Sequence, residues 1–330
     1  MQVLKKLLSP NLGWIILIII ISSILWFLPA ICGADYVQDN YEFRLFGFYT
    51  IGSFLPFWAH FIQFFLVLSI GFVILHITQH WQIIPLRSTI PFVIWLFLNS
   101  VIGRSQFFDE HSIAFLLFIG AFLHLLSMYG NSGYNSSPAF NIGFLITLAS
   151  VFVPEYFFLI LLFLVGMIVF GTLSFRPFLA LILGGLVPIF LIFSGFFLTD
   201  KLSFLVEICK SSFFVLPTYS FPFLHSEMIF GILLFISFLI ASVSYYSLSV
   251  NCKSHVRLNF LFINFAFWLS LGWSILFFTH FDAILFIPLL FICLVLSFYF
   301  STNQSKFSNI LFLVLLTAGL SYRILTLFEI

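Results

Sequence analysis

Charge is what this chain has least of. Lys, Arg, Asp and Glu make up 7% of its residues, against roughly 25% in an ordinary soluble domain. Hydrophobic residues make up 62%, and mean hydropathy is +1.22. No soluble core hides that much apolar surface, so the chain reads as an integral membrane protein. A net charge of +1 supplies no basic field for a polyanion, which argues against a nucleic-acid partner. Cysteine is sparse too. Cys32, Cys209, Cys252 and Cys293 form no CxxC pair and show no metal-ligand spacing, which speaks against a disulfide framework and structural zinc. No repeat relates the two halves, and no Asp or Glu falls in the middle of an apolar run. Both absences count against an ion-coupled transporter.

What is present is a series of long apolar runs. A bilayer offers no water to backbone groups, and these runs lack the alternation of a barrel strand, so the expected class is all-α. The expected spans, in one membrane domain covering 1–330, are Gly13–Ile31, Phe54–Thr78, Ile90–Gly103, Ser112–Met128, Phe140–Val153, Tyr156–Leu173, Phe178–Leu198, Met228–Leu248, Leu258–Thr279, Ala283–Phe300 and Phe307–Thr326. The first follows Lys5 and Lys6 and is longer than the h-region of a cleavable signal, so it reads as a retained span. Ile90–Gly103 and Phe140–Val153 are short for a full crossing, and re-entrant or thinned geometry stays open for both. Pro188 and Pro288 are expected to kink their spans, and Gly184 and Gly185 to permit close helix approach. The 52 phenylalanines suit lipid-facing and packing surfaces and carry no function of their own.

The few charges segregate. With the amino terminus cytoplasmic, the inner segments hold Lys5, Lys6, Arg87, Arg176, Lys253, Arg257 and Lys306 and no acid, as the positive-inside rule requires. The outer segments hold Arg44, Arg104, Lys201, Lys210 and Arg323 with all 11 acids, and the carboxyl terminus lies outside. Short loops make consecutive helices antiparallel neighbours. Two outer segments are long, Cys32–Ser53 and Thr199–Ser226, and Leu202–Val215 in the second reads either as an interfacial helix or as a packed connector. The sequons at Asn135–Ser137 and Asn303–Ser305 fall on the inner side and read as chance matches.

Four stretches carry a family resemblance: IPFVIWLFLNS (Ile90–Ser100), AFNIGFLITLASVFVPEYFFL (Ala139–Leu159), the Arg176-Pro177-Phe178 junction and GGLVPIFLIFSGFFLTDK (Gly184–Lys201). Together they resemble an uncharacterised family of polytopic inner-membrane proteins of Bacteroidetes. The resemblance covers about a third of the chain. It implies a bacterial inner membrane, and therefore a periplasmic acidic face, and it transfers no functional residue.

Orientation rules concern Lys and Arg and do not require acids to gather outside. The first outer loop brings Asp35, Asp39 and Glu42 together with Arg44, and the connection before the fourth span adds Arg104, Asp109, Glu110 and His111. If these loops meet, the carboxylates suit a divalent cation and the arginines a phosphate. In that plan the chain is similar to polytopic polyprenyl-phosphate-dependent glycosyltransferases, which also carry acids in the first outer loop. That resemblance implies a polyprenyl-phosphate-linked substrate, with one of Asp35, Asp39 and Glu42 as general base and Arg44 and Arg104 on the phosphate. Against this stands the plain requirement that outer loops be polar, and Asp109-Glu110-His111 also reads as a helix amino-terminal cap. Two further classes stay open: a non-enzymatic scaffold or assembly subunit with a membrane protein partner, and a transporter or lipid flippase. His76 and His80, four apart, have a metal-pair spacing but no carboxylate on their side. His124 and Asn99 read as groups that face other helices.

Overall fold

The computed structural model describes residues 12–31, 41–45, 49–54, 56–84, 88–102, 106, 108–129, 136–200, 203, 206, 225–248, 252–276, 285–303 and 305–328. Among these the chain forms eleven α-helices and one short β-hairpin. The helices are α1 (Leu12–Ile31), α2 (Pro56–His80), α3 (Ile90–Val101), α4 (Glu110–Ser127), α5 (Ser136–Phe152), α6 (Ile160–Val169), α7 (Phe175–Leu198), α8 (His225–Leu248), α9 (Ser254–Leu276), α10 (Phe286–Thr302) and α11 (Lys306–Phe328). A 3₁₀ turn, Pro154–Leu159, leads into α6. Six of the eleven are long and apolar enough to cross a membrane, and the other five are shorter apolar helices. Helix starts differ from the expected spans in a consistent way. Ser136-Ser137-Pro138 and Phe175-Arg176-Pro177 belong to the first turns of α5 and α7, because Ser and Pro suit an amino-terminal turn whatever their hydropathy.

Contacts between helix termini define two ends of the bundle. At one, Trp26 Nε1 donates to the His60 carbonyl (3.3 Å), His60 Nε2 pairs with the Trp26 carbonyl (3.0 Å), and the Phe108 amide donates to the Ala59 carbonyl (3.2 Å). The finish of α1 and the starts of α2 and α4 therefore meet. At the other end, Asn259 Nδ2 donates to the Trp81 carbonyl (3.3 Å), and the Tyr129 ring meets Phe170 and His255. The first end holds Asp109, Glu110, Glu155 and Arg323, and the second holds Lys253 and Arg257. Among the described residues, Asp109, Glu110 and Glu155 thus lie at the end opposite Lys253 and Arg257.

The centre of the bundle is α10, buried along nearly its whole length and packed by α3, α8, α9 and α11. Lipid tails are as apolar as Leu, so helix association depends on close packing more than on hydrophobic transfer. Phenylalanine supplies much of that packing: Phe115 stacks on Trp95 (5.8 Å between centroids) and on Phe286 (5.2 Å), tying α4 to α3 and α10. Pro288 is the third residue of α10 and removes no intrahelical donor there, so the expected internal kink site is a helix start. Helix α7 runs through Pro188 without a break. It is held to α5 at a crossing where a Cβ on Gly143 would strike the Leu181 carbonyl and one on Gly184 the Phe140 carbonyl. Beyond the crossing α7 is apolar and exposed, with Phe190 68% and Leu198 81% accessible. Such a surface suits lipid, because soluble monomers rarely expose patches of this kind.

The hairpin is the departure from the all-helical expectation. The segment expected as an irregular loop contains β1 (Tyr41–Leu45) and β2 (Tyr49–Phe54), antiparallel, with Glu42 opposite Ser53, Arg44 opposite Thr50, and a bulge after Phe43. Its aromatic and β-branched residues (Tyr41, Phe43, Tyr49, Thr50, Ile51, Phe54) carry the strand signal that the local charge obscured.

Candidate functional site

The acidic end is built from helix starts and finishes. Asp109 caps α4: its Oδ1 accepts from the Ser112 amide (3.0 Å) and the Ser112 hydroxyl (2.9 Å). The capping role expected of Asp109-Glu110-His111 is present, and Glu110 in the first turn faces the positive end of the helix dipole. The Pro154–Leu159 turn then brings two polar residues into the protein, Glu155 (4% accessible) and Tyr156 (0%). The charges of both Asp109 and Glu155 act on the Tyr156 hydroxyl, and the Tyr156 ring lies edge-on to Trp273 of α9 at 5.8 Å. Among the described residues the Tyr156 hydroxyl and His111 Nδ1 are buried without a hydrogen-bond partner.

A second polar group occupies the same end. Arg323, near the finish of α11 and 5% accessible, donates through Nη2 to Gln106 Oε1 at 2.6 Å. Gln106 Nε2 in turn donates to the Ser100 carbonyl (3.0 Å) at the finish of α3. The guanidinium also acts electrostatically on His60, so α2, α3 and α11 share one buried network.

At the same end lies an apolar cleft of about 480 Å³, walled by α8, α9, α10 and Tyr322 of α11 and bordered by Ile102 after α3. Phe230, Gly231, Leu234, Phe267 and Leu289 line it, with Ser274 and Tyr322 as its main polar points. Its α8 wall runs from Met228 to Phe235, which at the rise of an α-helix is about 10 Å of depth. Ser274 follows Trp273, which packs on Tyr156, and Tyr322 precedes Arg323. The cleft is thus one residue along the chain from Trp273 on α9 and from Arg323 on α11.

Of the residues singled out in the sequence, Asp35, Asp39 and Arg104 lie outside the described residues. Glu42 and Arg44 sit on β1, which packs against α4 and α5, the helices that begin after Asp109 and end before Glu155. Glu155, Tyr156, Gln106 and Arg323 were missed as site residues. Glu155 and Arg323 stood in the charge tally, whereas nothing in the sequence pairs Gln106 with a residue 217 positions away. The His76 and His80 rings stack at 5.4 Å. Among the described residues no group of three or more His, Cys, Asp or Glu is placed to hold a metal ion. His124 Nε2 approaches Asn141 Nδ2 of α5 at 3.5 Å, a contact between helices, whereas Asn99 Nδ2 donates to the Trp95 carbonyl at 2.9 Å, one turn back within α3.

Comparison with protein-family models, with curated proteins and with solved structures finds no significant match.

Proposed function

We propose that the chain is a multi-pass protein of a bacterial inner membrane, amino terminus cytoplasmic and carboxyl terminus periplasmic, that handles a lipid-linked phosphate or saccharide at its acidic, periplasmic end. The observation that carries this reading is the apolar cleft of about 480 Å³ at that end, with Ser274 and Tyr322 as its polar points. Ligand pockets span roughly 300 to 1,000 Å³ and combine apolar walls with a few convergent polar groups. A prenyl or acyl chain in the cleft leaves its phosphate at the level of Tyr322 and the acid-bearing turn. The charge distribution supports the orientation, since every cation of the inner segments stands without a neighbouring acid. In this reading β1 carries Glu42 and Arg44 toward the head group, with Asp35, Asp39 and Arg104 as the remaining first-loop and third-connection groups. One carboxylate acts as general base toward an acceptor hydroxyl, while the arginines neutralise the leaving phosphate.

The test is mass spectrometry of lipids co-purifying with the wild type, with Gly231→Leu and with the triple variant Asp35→Asn, Asp39→Asn, Glu42→Gln. An unrelated polytopic protein serves as control. Gly231 lines the cleft and a Cβ there meets nothing within 4 Å, so a leucine at this position is expected to occupy part of the cleft. The expected result is enrichment of a polyprenyl phosphate or its glycosylated form in the wild type, lost in Gly231→Leu. Loss in the triple variant as well extends the site to the first loop. No enrichment over the control rejects the reading in favour of a non-enzymatic scaffold.

A further inference from the structure

We propose that the cleft is a lateral portal, open between α8 and α9 toward the membrane, through which a hydrocarbon chain of a bilayer lipid enters the bundle. Over its second half α8 closes on α9. The Tyr245 and Phe260 rings stack with centroids 3.5 Å apart, the Ser242 hydroxyl donates to Asn264 Oδ1 at 2.7 Å, and the Phe238 and Phe267 rings meet at 3.7 Å. On each helix these residues recur at steps of three and four, the spacing of a packed seam. Continued toward the start of α8, the same steps reach Gly231 on α8 and Leu271 and Ser274 on α9, and all three line the cleft. Gly231 has no side chain to offer, and the Ser274 hydroxyl turns back to the Ser270 carbonyl at 2.8 Å. The seam runs out of side chain there, and the two helices leave an opening.

The mouth of this opening faces lipid. Ile232 on α8 and Ile275 on α9 line the cleft and are 60% and 56% accessible. Both lie in helices long and apolar enough to cross a membrane, so the medium at the mouth is hydrocarbon. Farther in, Leu234, Phe267 and Leu289 are buried around the same space. Atoms that line an unfilled space forfeit dispersion contacts, and an apolar cavity stays dry. A chain from the surrounding bilayer is the occupant that restores those contacts. The Tyr322 ring, stacked on Phe230 at 5.2 Å, belongs to the same wall, and its neighbour Arg323 sets the mouth in the half of the bundle nearer the acidic end. For the identity of the bound lipid this proposal rests on the reading above. What it adds is the route, sideways from the bilayer and not through water, and entry of a hydrocarbon chain does not require that reading.

The experiment is photo-crosslinking of the full chain in nanodiscs of phosphatidylethanolamine and phosphatidylglycerol, with adducts identified by mass spectrometry. The photoreactive residue p-benzoylphenylalanine replaces, one at a time, three residues of α8: Leu234, buried on the cleft wall; Ile236, exposed on the lipid-facing side; and Phe238, buried in the closed seam. Lipid adducts at position 234 are expected to approach those at 236, with position 238 several-fold lower. Gly231→Leu, combined with the probe at 234, is expected to bring its yield down to that of 238. Equal yields at 234 and 238, or a yield at 234 that Gly231→Leu leaves unchanged, overturns the portal. A cross-link from 234 to a second copy of the chain in place of lipid, seen as a dimer on a denaturing gel, overturns it too. If the probe at 234 prevents folding, Leu271 on the opposite wall carries it with the same expectations. The nanodiscs contain no polyprenyl phosphate, so the two readings fail separately. Lipid adducts at 234 without polyprenyl-phosphate enrichment overturn the lipid-linked substrate alone, and enrichment with no adduct at 234 overturns the portal alone.

Discussion

Arg323 shows how much one buried side chain depends on another far away in the sequence. Its guanidinium, 5% accessible, donates to Gln106 Oε1 at 2.6 Å, and hydrogen bonds to charged groups contribute about 1.5–3 kcal/mol. Gln106→Leu is therefore expected to lower stability by about 2 kcal/mol in reversible unfolding from mixed micelles. Gln106→Glu keeps the acceptor and adds a countercharge but loses the donor to the Ser100 carbonyl, and is expected to fall between the wild type and Gln106→Leu. A second residue offers a chemical readout. Burial pushes the Cys252 thiol up while Arg257 opposes the shift, and only the thiolate reacts with maleimides. A variant retaining Cys252 alone is expected to label more slowly at pH 7 than an exposed cysteine. Its rate is expected to rise about tenfold per pH unit until the raised pKa is passed, so a rate that levels off below the ordinary thiol range contradicts the burial.

At the scale of elements, the α5–α7 crossing is the tightest constraint. The backbones approach so closely that a methyl group on Gly143 or Gly184 collides with a carbonyl of the facing helix. Over-packing of this kind costs about 1–3 kcal/mol, and a carbonyl cannot rotate away as a side chain does. Gly184→Ala is expected to loosen α7 from the bundle, detected as faster hydrogen exchange along 175–198 and a lower unfolding midpoint. Gly195→Ala, on the same helix with open space around it, is expected to be neutral or slightly stabilising through helix propensity. Equal effects of the two changes contradict the crossing. The GGLVP stretch made Gly184 and Gly185 visible in the sequence as small residues suited to close approach. Gly143 was not legible in that way, because its role depends on which helix lies opposite.

For the whole molecule, the expectation is alternation. Reporter fusions placed after Thr172, Cys252 and Asn303 are expected to report the cytoplasm, and fusions after Phe108, Asp200 and Leu285 the periplasm. Two adjacent fusions on the same side remove a span and with it the assignment of all acids to one face. Hydropathy made the helices legible even where they are short, since apolar composition is a local property. The hairpin was not legible, because its strand signal is weak beside three acids and an arginine in the same segment. The candidate site was half legible. Asp109, Glu110 and His111 were marked by charge and by their place before an apolar run, whereas Tyr156 carries no charge and reads as one more aromatic in a Phe-rich chain.

Composition together with the absence of strand alternation determined that this chain is a bundle of apolar helices, because long uniformly apolar runs satisfy their backbone in a membrane only as helices. The order of Lys and Arg along the chain gives an expectation for which helix termini share an end. Only the tertiary structure decided that α8, α9, α10 and α11 enclose a cleft, that Gln106 meets Arg323, and that Tyr156 packs on Trp273. Each depends on the packing of helices distant in sequence, which side-chain shape at the crossings sets and which no local pattern records.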